Sequence, residues 1–284
     1  MTARTTPSFL ARLKRLPFRL LRNVIRRAPF LAPDRPSSLC IGTFDGFEVA
    51  YRRQTADQRV IRHSFKDDIF LSGVPEYQPR DGDVVIDIGA HIGTFSLLSS
   101  SKVGRHGRVH AIEACQDSFN LLRINVALNG SCNIFAHHLA ISDRDGDCTL
   151  YHDAGNWGHS TVRPLSGSSE QTPCCTLGTF MDAHEIDQCD FMKMNCEGSE
   201  FPILLSTPAD VLQRVRAMVV LYHCDLWSGN TPDDLVAHLQ RSGFACTLRH
   251  RAEHRGWVIA TRASQRTAVA RDPEIVVERR VGWR

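Results

Sequence analysis

Four titratable residues fall where short apolar runs end or are about to end: Asp87, Glu113, Glu197 and His223. Strand ends deliver side chains to a sheet edge, and an acid or an imidazole there can take up and return a proton. His159 adds a fifth group able to exchange a proton. It sits in Gly155-Asn156-Trp157-Gly158-His159-Ser160-Thr161, a loop whose Trp, His and Asn suit substrate contact as well as a plain surface turn. Asp87, Gly89, Ala90, His91 and Gly93 form a separate constellation, D-x-G-x-x-x-G. Its glycines leave room for a ligand to approach the backbone, and the helix predicted after it offers unpaired N–H donors. Glu113 follows Asp87 by 26 residues, the distance at which a second strand can present a carboxylate to a ribose diol. A pyrophosphate-binding G-x-G-x-x-G and a phosphate-binding G-K-[ST] are both absent.

The surrounding pattern supplies elements to hold these groups. Residues 84–88 read as a strand buried on both faces, and residues 107–113 as a turn and a second strand. A helix is predicted over residues 118–129, stopped by Asn129-Gly130. Residues 134–141 read as a third strand, which would bring Ala140 and Ser142 to the same crevice as an adenine wall. Further strands are predicted at 148–151, 172–177, 189–194, 215–222, 243–248 and 257–261, with helices at 179–184, 199–205 and 231–241. Thr231 is placed to cap the last helix, with Pro232 at its first position. The alternation predicts an α/β, doubly wound, mostly parallel sheet. Ahead of it, residues 44–52 and 60–71 read as strand-like runs of a small cap region spanning 37–80; the sheet domain is expected over 81–262.

The chain has 284 residues, 42% hydrophobic and 23% charged, ordinary for a globular protein. Its net charge of +3 hides an asymmetry, because eight cations and no acid precede Asp34. The rest carries 26 cations against 31 acids, a net of −5, which argues against nucleic acid as a partner. Residues 1–31 are amphipathic as well as basic, with Pro17 interrupting any helix, and residues 32–36 read as a linker. Three readings of this front segment stand open: a helix on an anionic membrane surface, an Arg-rich transit peptide, or an accessory helix packed on the domain. The ten cysteines show no C-x-x-C and no zinc spacing with histidine, so no metal ligands are assigned. Without a secretory signal they read as reduced thiols, and the expected location is cytoplasmic, with peripheral membrane contact through residues 1–31 as an option. Residues 263–284 form a charged tail.

Taken together, the motifs resemble the FkbM-type methyltransferase family, a branch of the class I S-adenosylmethionine (SAM) methyltransferases. The matching stretches are residues 84–93 with Asp87, Gly89 and Gly93, residues 107–113, Leu121-Leu122-Arg123-Ile124-Asn125 with Leu128-Asn129-Gly130, Asp145-Gly146, Thr176-Leu177, and Lys193-Met194-Asn195-Cys196-Glu197-Gly198. The resemblance implies a Rossmann-like seven-stranded sheet, SAM as cofactor, and methylation of a hydroxyl on a sugar, glycan, lipid-linked sugar or secondary metabolite. A hydroxyl nucleophile must lose its proton as it attacks, which makes Glu197 the first candidate base, His223 the second and His159 a third reaching in from its loop. The chain departs from the family pattern at His91 (usually Asn), Ala114 (usually Pro), Gly178 (usually Asp) and Asn195 (usually Asp). The last two keep a rival reading open, a SAM-fold binding module with little or no catalysis.

Overall fold

The computed structural model describes residues 39–153, 158–165 and 168–262. The basic front segment, the linker and the charged tail lie outside these. The described chain opens with a hairpin, β1 (Leu39–Phe44) and β2 (Phe47–Arg52). Asp45 and Gly46 between them have φ of 47° and 82°, the left-handed pair that a two-residue Asp-Gly turn favours. Helix α1 (Asp57–Phe65) follows where a strand was expected over 60–71. Its buried residues, Asp57, Ile61 and Ser64, recur at four and three residues, and this helical period prevails over the β-branched content.

The main sheet has the order β11 (Phe244–Arg249), β12 (Arg255–Arg262), β10 (Val215–His223), β9 (Cys189–Met194), β3 (Val84–Ile88), β4 (Arg108–Glu113), β5 (Ile134–His138). Strand β12 is antiparallel to both its neighbours; every other adjacent pair is parallel. The mostly parallel, seven-stranded α/β sheet is therefore as expected. Alternate residues go to opposite faces. Val85, Phe191 and Val219 join one core with α1, α2 (Thr94–Val103) and α3 (Gln116–Asn129). Ile86, Met192 and Val220 join the other, with α4 (Leu177–Ala183), α5 (Glu200–Ser206), α6 (Ala209–Leu212) and α7 (Pro232–Arg241). Burial on both sides explains why these strands read as unbroken apolar runs. Thr231 caps α7 in a reciprocal capping box, with Pro232 in its first turn.

The strand predicted over 134–141 is broken in two. His138 pairs with Glu113, the last residue of β4, so the main sheet offers no further partner. The chain then moves to a separate three-stranded sheet, β6 (Ala140–Ile141), β8 (Ser169–Cys175) and β7 (Gly146–Tyr151). Residues of the cap region do not stand apart. Val49, Ala50, Ile61, Phe70 and Tyr77 lie in the same core as Val85, and the Tyr77 ring stacks on Phe191 at 4.3 Å. Asn125 secures this join, accepting from Ala50 N (2.7 Å) and donating to Ala50 O and Ile92 O (3.1 and 2.7 Å).

Candidate active site

The parallel strands β3, β4, β9 and β10 end along one edge, and a cavity of about 590 Å³ opens there. Gly89, Ala90, His91, Glu113 and Ala140 line one side; Asn195, Glu197 and His223 line the other.

At the first side the polar groups form a closed network. The N–H groups of Gly89 and Ala90 both donate to Ile112 O (3.0 and 2.9 Å). Glu113 accepts from His91 N through one oxygen (2.7 Å) and from Cys115 N through the other (2.8 Å). Burial raises its pKa, although the two N–H donors work the other way. Each oxygen keeps a lone pair for a further donor. His91 has φ 54°, in the left-handed region that His, like Asn, tolerates better than most residues.

Three residues expected to touch a cofactor do not line this cavity. Asp87 is fully buried beneath the loop, where Ser96 Oγ donates to it (2.6 Å) and Lys193 Nζ pairs with it (3.0 Å). Lys193 also donates to Gly89 O (2.7 Å), so Asp87 acts on the loop through the lysine. Gly93 serves packing: a Cβ there would lie 2.3 Å from Leu122 Cδ1. Ser142 is drawn away by β8, donating from its N–H to Cys175 O (2.9 Å) and from Oγ to Asp143 (3.0 Å). The wall it was expected to form consists of Leu139, Ala140, Ile141 and Leu150. Gly89 does line the cavity, but the room it leaves is also occupied by the chain itself. A Cβ at Gly89, φ 74°, would meet Asn195 O at 2.0 Å.

The second side is a charge cluster. His223 Nδ1 lies 3.1 Å from Glu200 Oε1, and Nε2 lies 3.6 Å from Glu197 Oε2. Burial opposes a charged imidazole, but the carboxylates of Glu200 and Glu197 outweigh it and raise the His223 pKa to about 8. Glu197 is itself raised, chiefly by burial, with His223 pulling it back. Its φ of 49° is unusual for a residue with a Cβ. Glu200, in the first turn of α5, is fully buried and accepts from Cys196 N (2.6 Å) and Gly198 N (2.8 Å). Sequence reasoning assigned Glu200 no role. The available signal was an acid in the first helical turn, three residues after another acid.

His159 lines the cavity too, yet its Nδ1 accepts from Asp153 N (3.1 Å) rather than engaging Glu197 or His223. Burial lowers its pKa to about 4, so it is neutral at pH 7. Its neighbours lie against Glu197. Ser160 Oγ donates to Glu197 O (2.8 Å), and a Cβ at Gly158 would collide with the Glu197 carboxyl at 2.2 Å. Trp157 lies outside the described residues. Folding also groups ligand atoms of Cys115, His152 and His159 within 4.8 Å of one another. That grouping joins the start of α3 to the end of β7, and local spacing carries no trace of it. Of the two departures that favour a binding module, Gly178 lies in the first turn of α4, facing Val211, and does not line the cavity. Asn195 does line it, with a buried Oδ1 that has no hydrogen-bond partner.

A family model described as Methyltransferase FkbM domain matches residues 87–246, more than half of the chain. No curated protein matches the sequence. Among solved structures, similarity is found to a SAM-dependent methyltransferase from Aquifex aeolicus (15% identity, 72% of this chain and 98% of that one, TM-score 0.40). A precorrin-6y C5,15-methyltransferase from Geobacter metallireducens GS-15 is also similar (16% identity, 77% and 95%, TM-score 0.41). So is Aeropyrum pernix fibrillarin with natively bound SAM (15% identity, 82% and 86%, TM-score 0.42).

Proposed function

This chain belongs to the FkbM methyltransferase family, and from that membership we propose that it transfers the methyl group of SAM to a hydroxyl oxygen on a sugar, glycan, lipid-linked sugar or secondary metabolite. The observation that carries the choice of a hydroxyl is the Glu197–His223–Glu200 cluster. A hydroxyl must shed a proton to become a competent nucleophile, and a raised-pKa carboxylate at the cavity wall is suited to receive it.

The cavity residues fit the cofactor. Glu113 has acceptor capacity for a ribose diol, Asn195 Oδ1 is an unsatisfied buried acceptor for an ammonium, and Leu139, Ala140, Ile141 and Leu150 offer an apolar wall to an adenine. When bound, SAM supplies an electrophilic methyl on a sulfonium. With SAM bound, the acceptor oxygen would bond to that carbon as the carbon–sulfur bond broke, and Glu197 would receive the hydroxyl proton. His223 keeps its own proton below about pH 8, so it balances the charge of Glu197 and does not compete as the base. Glu200 holds the imidazole from the opposite nitrogen.

The acceptor in this reading is a small molecule or glycan, in keeping with the net negative charge of the chain beyond residue 33. Residues 1–31 would bring the enzyme to an anionic membrane surface. Among the described residues no helix is long and apolar enough to cross a membrane.

The test is calorimetric SAM binding followed by methyl transfer to a panel of hydroxylated and amine acceptors. Transfer to a hydroxyl supports the proposal. Tight SAM binding with transfer only to amines, or with no transfer, overturns it and in the second case leaves the binding-module reading.

A further inference from the structure

Cys115, His152 and His159 have no part in the proton chemistry above, yet they converge beside the cavity. Their ligand-capable atoms lie within 4.8 Å of one another, with Cys115 buried and the two histidines half-buried. One thiol and two imidazoles are the donor set of soft or borderline divalent transition metals, zinc above all, and they leave a fourth position open.

The setting of Cys115 strengthens the case independently. It is the N-cap residue of the 14-residue helix α3. A helix N-terminus favours a thiolate over a thiol. Burial and the Glu113 carboxylate together raise this thiol to about 11. Arg52 also lies within electrostatic reach of Cys115 and His159, and its guanidinium is paired with Asp57. A bound divalent ion would hold the sulfur deprotonated. Carboxylates border the group as well. Glu113 is two residues away, and Glu170 Oε1 lies 3.8 Å from His152 Nε2. A carboxylate beside a ligating imidazole is a common means of orienting it. His159 Nε2 is buried with no hydrogen-bond partner, while Nδ1 accepts from Asp153 N. Metal binding at Nε2 would place the ring proton on Nδ1, so the bond from Asp153 is the contact given up.

We propose that Cys115, His152 and His159 bind one zinc-class divalent ion that clamps the His159 loop to the start of α3. The clamp would join two walls of the cavity. Glu113 lies on the Cys115 side, and Ser160, which donates to the Glu197 carbonyl, lies on the His159 side. The role is structural: the ion fixes the loop that borders the proposed base, and no reaction step passes through it.

Cobalt(II) is the probe, titrated into full-length protein stripped with a chelator. The expected result is one cobalt per chain, with a near-ultraviolet thiolate-to-cobalt charge-transfer band and the strong visible bands of a tetrahedral site. Cys115→Ser should lose the charge-transfer band. His152→Gln and His159→Gln should each weaken cobalt binding by more than about 100-fold, beyond the loss expected for a mere orienting partner. Zinc should raise the melting temperature of the parent and leave that of each variant unmoved. Circular dichroism checks folding, and if Cys115→Ser does not fold, the two histidine variants decide. No charge-transfer band in the parent, or an undiminished one in Cys115→Ser or in both histidine variants, overturns the site. SAM affinity of the stripped protein, measured separately, reports on the cofactor cavity whichever way the metal titration turns out.

Discussion

Two strand ends on one sheet edge are built by opposite means. At the end of β3 and β4 the polar groups satisfy each other at short range, with Glu113 accepting from His91 N and Cys115 N and the Gly89 and Ala90 N–H groups meeting Ile112 O. At the end of β9 and β10, two carboxylates share one imidazole, and the pKa values of Glu197 and His223 are both displaced. The first arrangement is a rigid holder. The second stores a proton imbalance that chemistry can use. They meet around Gly89, which packs against the Asn195 carbonyl and accepts from Lys193. A change there should damage both, and changes elsewhere should separate them.

Gly89→Val tests that junction and carries the largest expected effect. Its Cβ would overlap Asn195 O, and φ 74° is strained for a branched residue. Left-handed strain of about 1–2 kcal/mol and overpacking of about 1–3 kcal/mol sum to several kcal/mol of lost stability. Chemical denaturation should show that loss, together with the loss of SAM binding. Parent-like stability would mean that the two strand ends are not braced against each other.

Glu197→Gln addresses the second region alone. Single-turnover methyl transfer should fall about 10²–10⁴-fold, with SAM affinity nearly unchanged. A loss below about tenfold would move proton removal away from Glu197. Glu113→Gln is the mirror experiment. A hydrogen bond to a charged group contributes about 1.5–3 kcal/mol, so SAM should bind about 10–100-fold more weakly while the rate at saturating SAM is kept. If both substitutions altered affinity and rate alike, the division between holder and proton site would fail.

The holder was largely legible in the sequence because its parts are contiguous: a strand, a glycine loop and an acid after one βαβ interval. The glycines were read for a ligand, however, and their tightest neighbours are Asn195 O and Leu122, which only the folded chain reveals. Asp87 shows the same limit, since its partner Lys193 is more than 100 positions away and on another strand. Glu197 and His223 were read as alternative bases. Their pairing, and the part of Glu200, depend on β9 and β10 lying side by side, which the sequence implies only once the sheet order is known. The α1 error was local, because a short apolar run with β-branched residues satisfies strand and helix patterns at once. The Asp45-Gly46 turn, by contrast, carried a hairpin signal that the strand reading of residues 44–52 passed over.

The smallest predicted effect concerns the pH dependence that His223 gives the second region. His223 is raised to about 8 from 6.5, so the folded protein holds that proton more tightly than the unfolded chain. Its contribution is complete below pH 6.5 and disappears as pH rises through 8. At 1.36 kcal/mol per pKa unit, stability should fall by about 2 kcal/mol across that interval. The raised pKa values of Glu197 and Glu113 give the same sign at lower pH. Two histidines of β4 and β5 that do not line the cavity reverse the sign. Burial lowers His110 to about 3 and His137 to about 4, so the folded state resists protons that the unfolded chain accepts near 6.5, and stability is lost as pH falls below that value. Denaturation midpoints from pH 5 to 8 should therefore form a dome. Glu200→Gln should flatten the alkaline limb, because it removes the carboxylate that contributes most to raising His223, and should leave the acid limb in place. An unchanged alkaline slope in that variant would show that His223 does not draw its extra proton affinity from Glu200, and the charge cluster would then not act as the unit its geometry indicates.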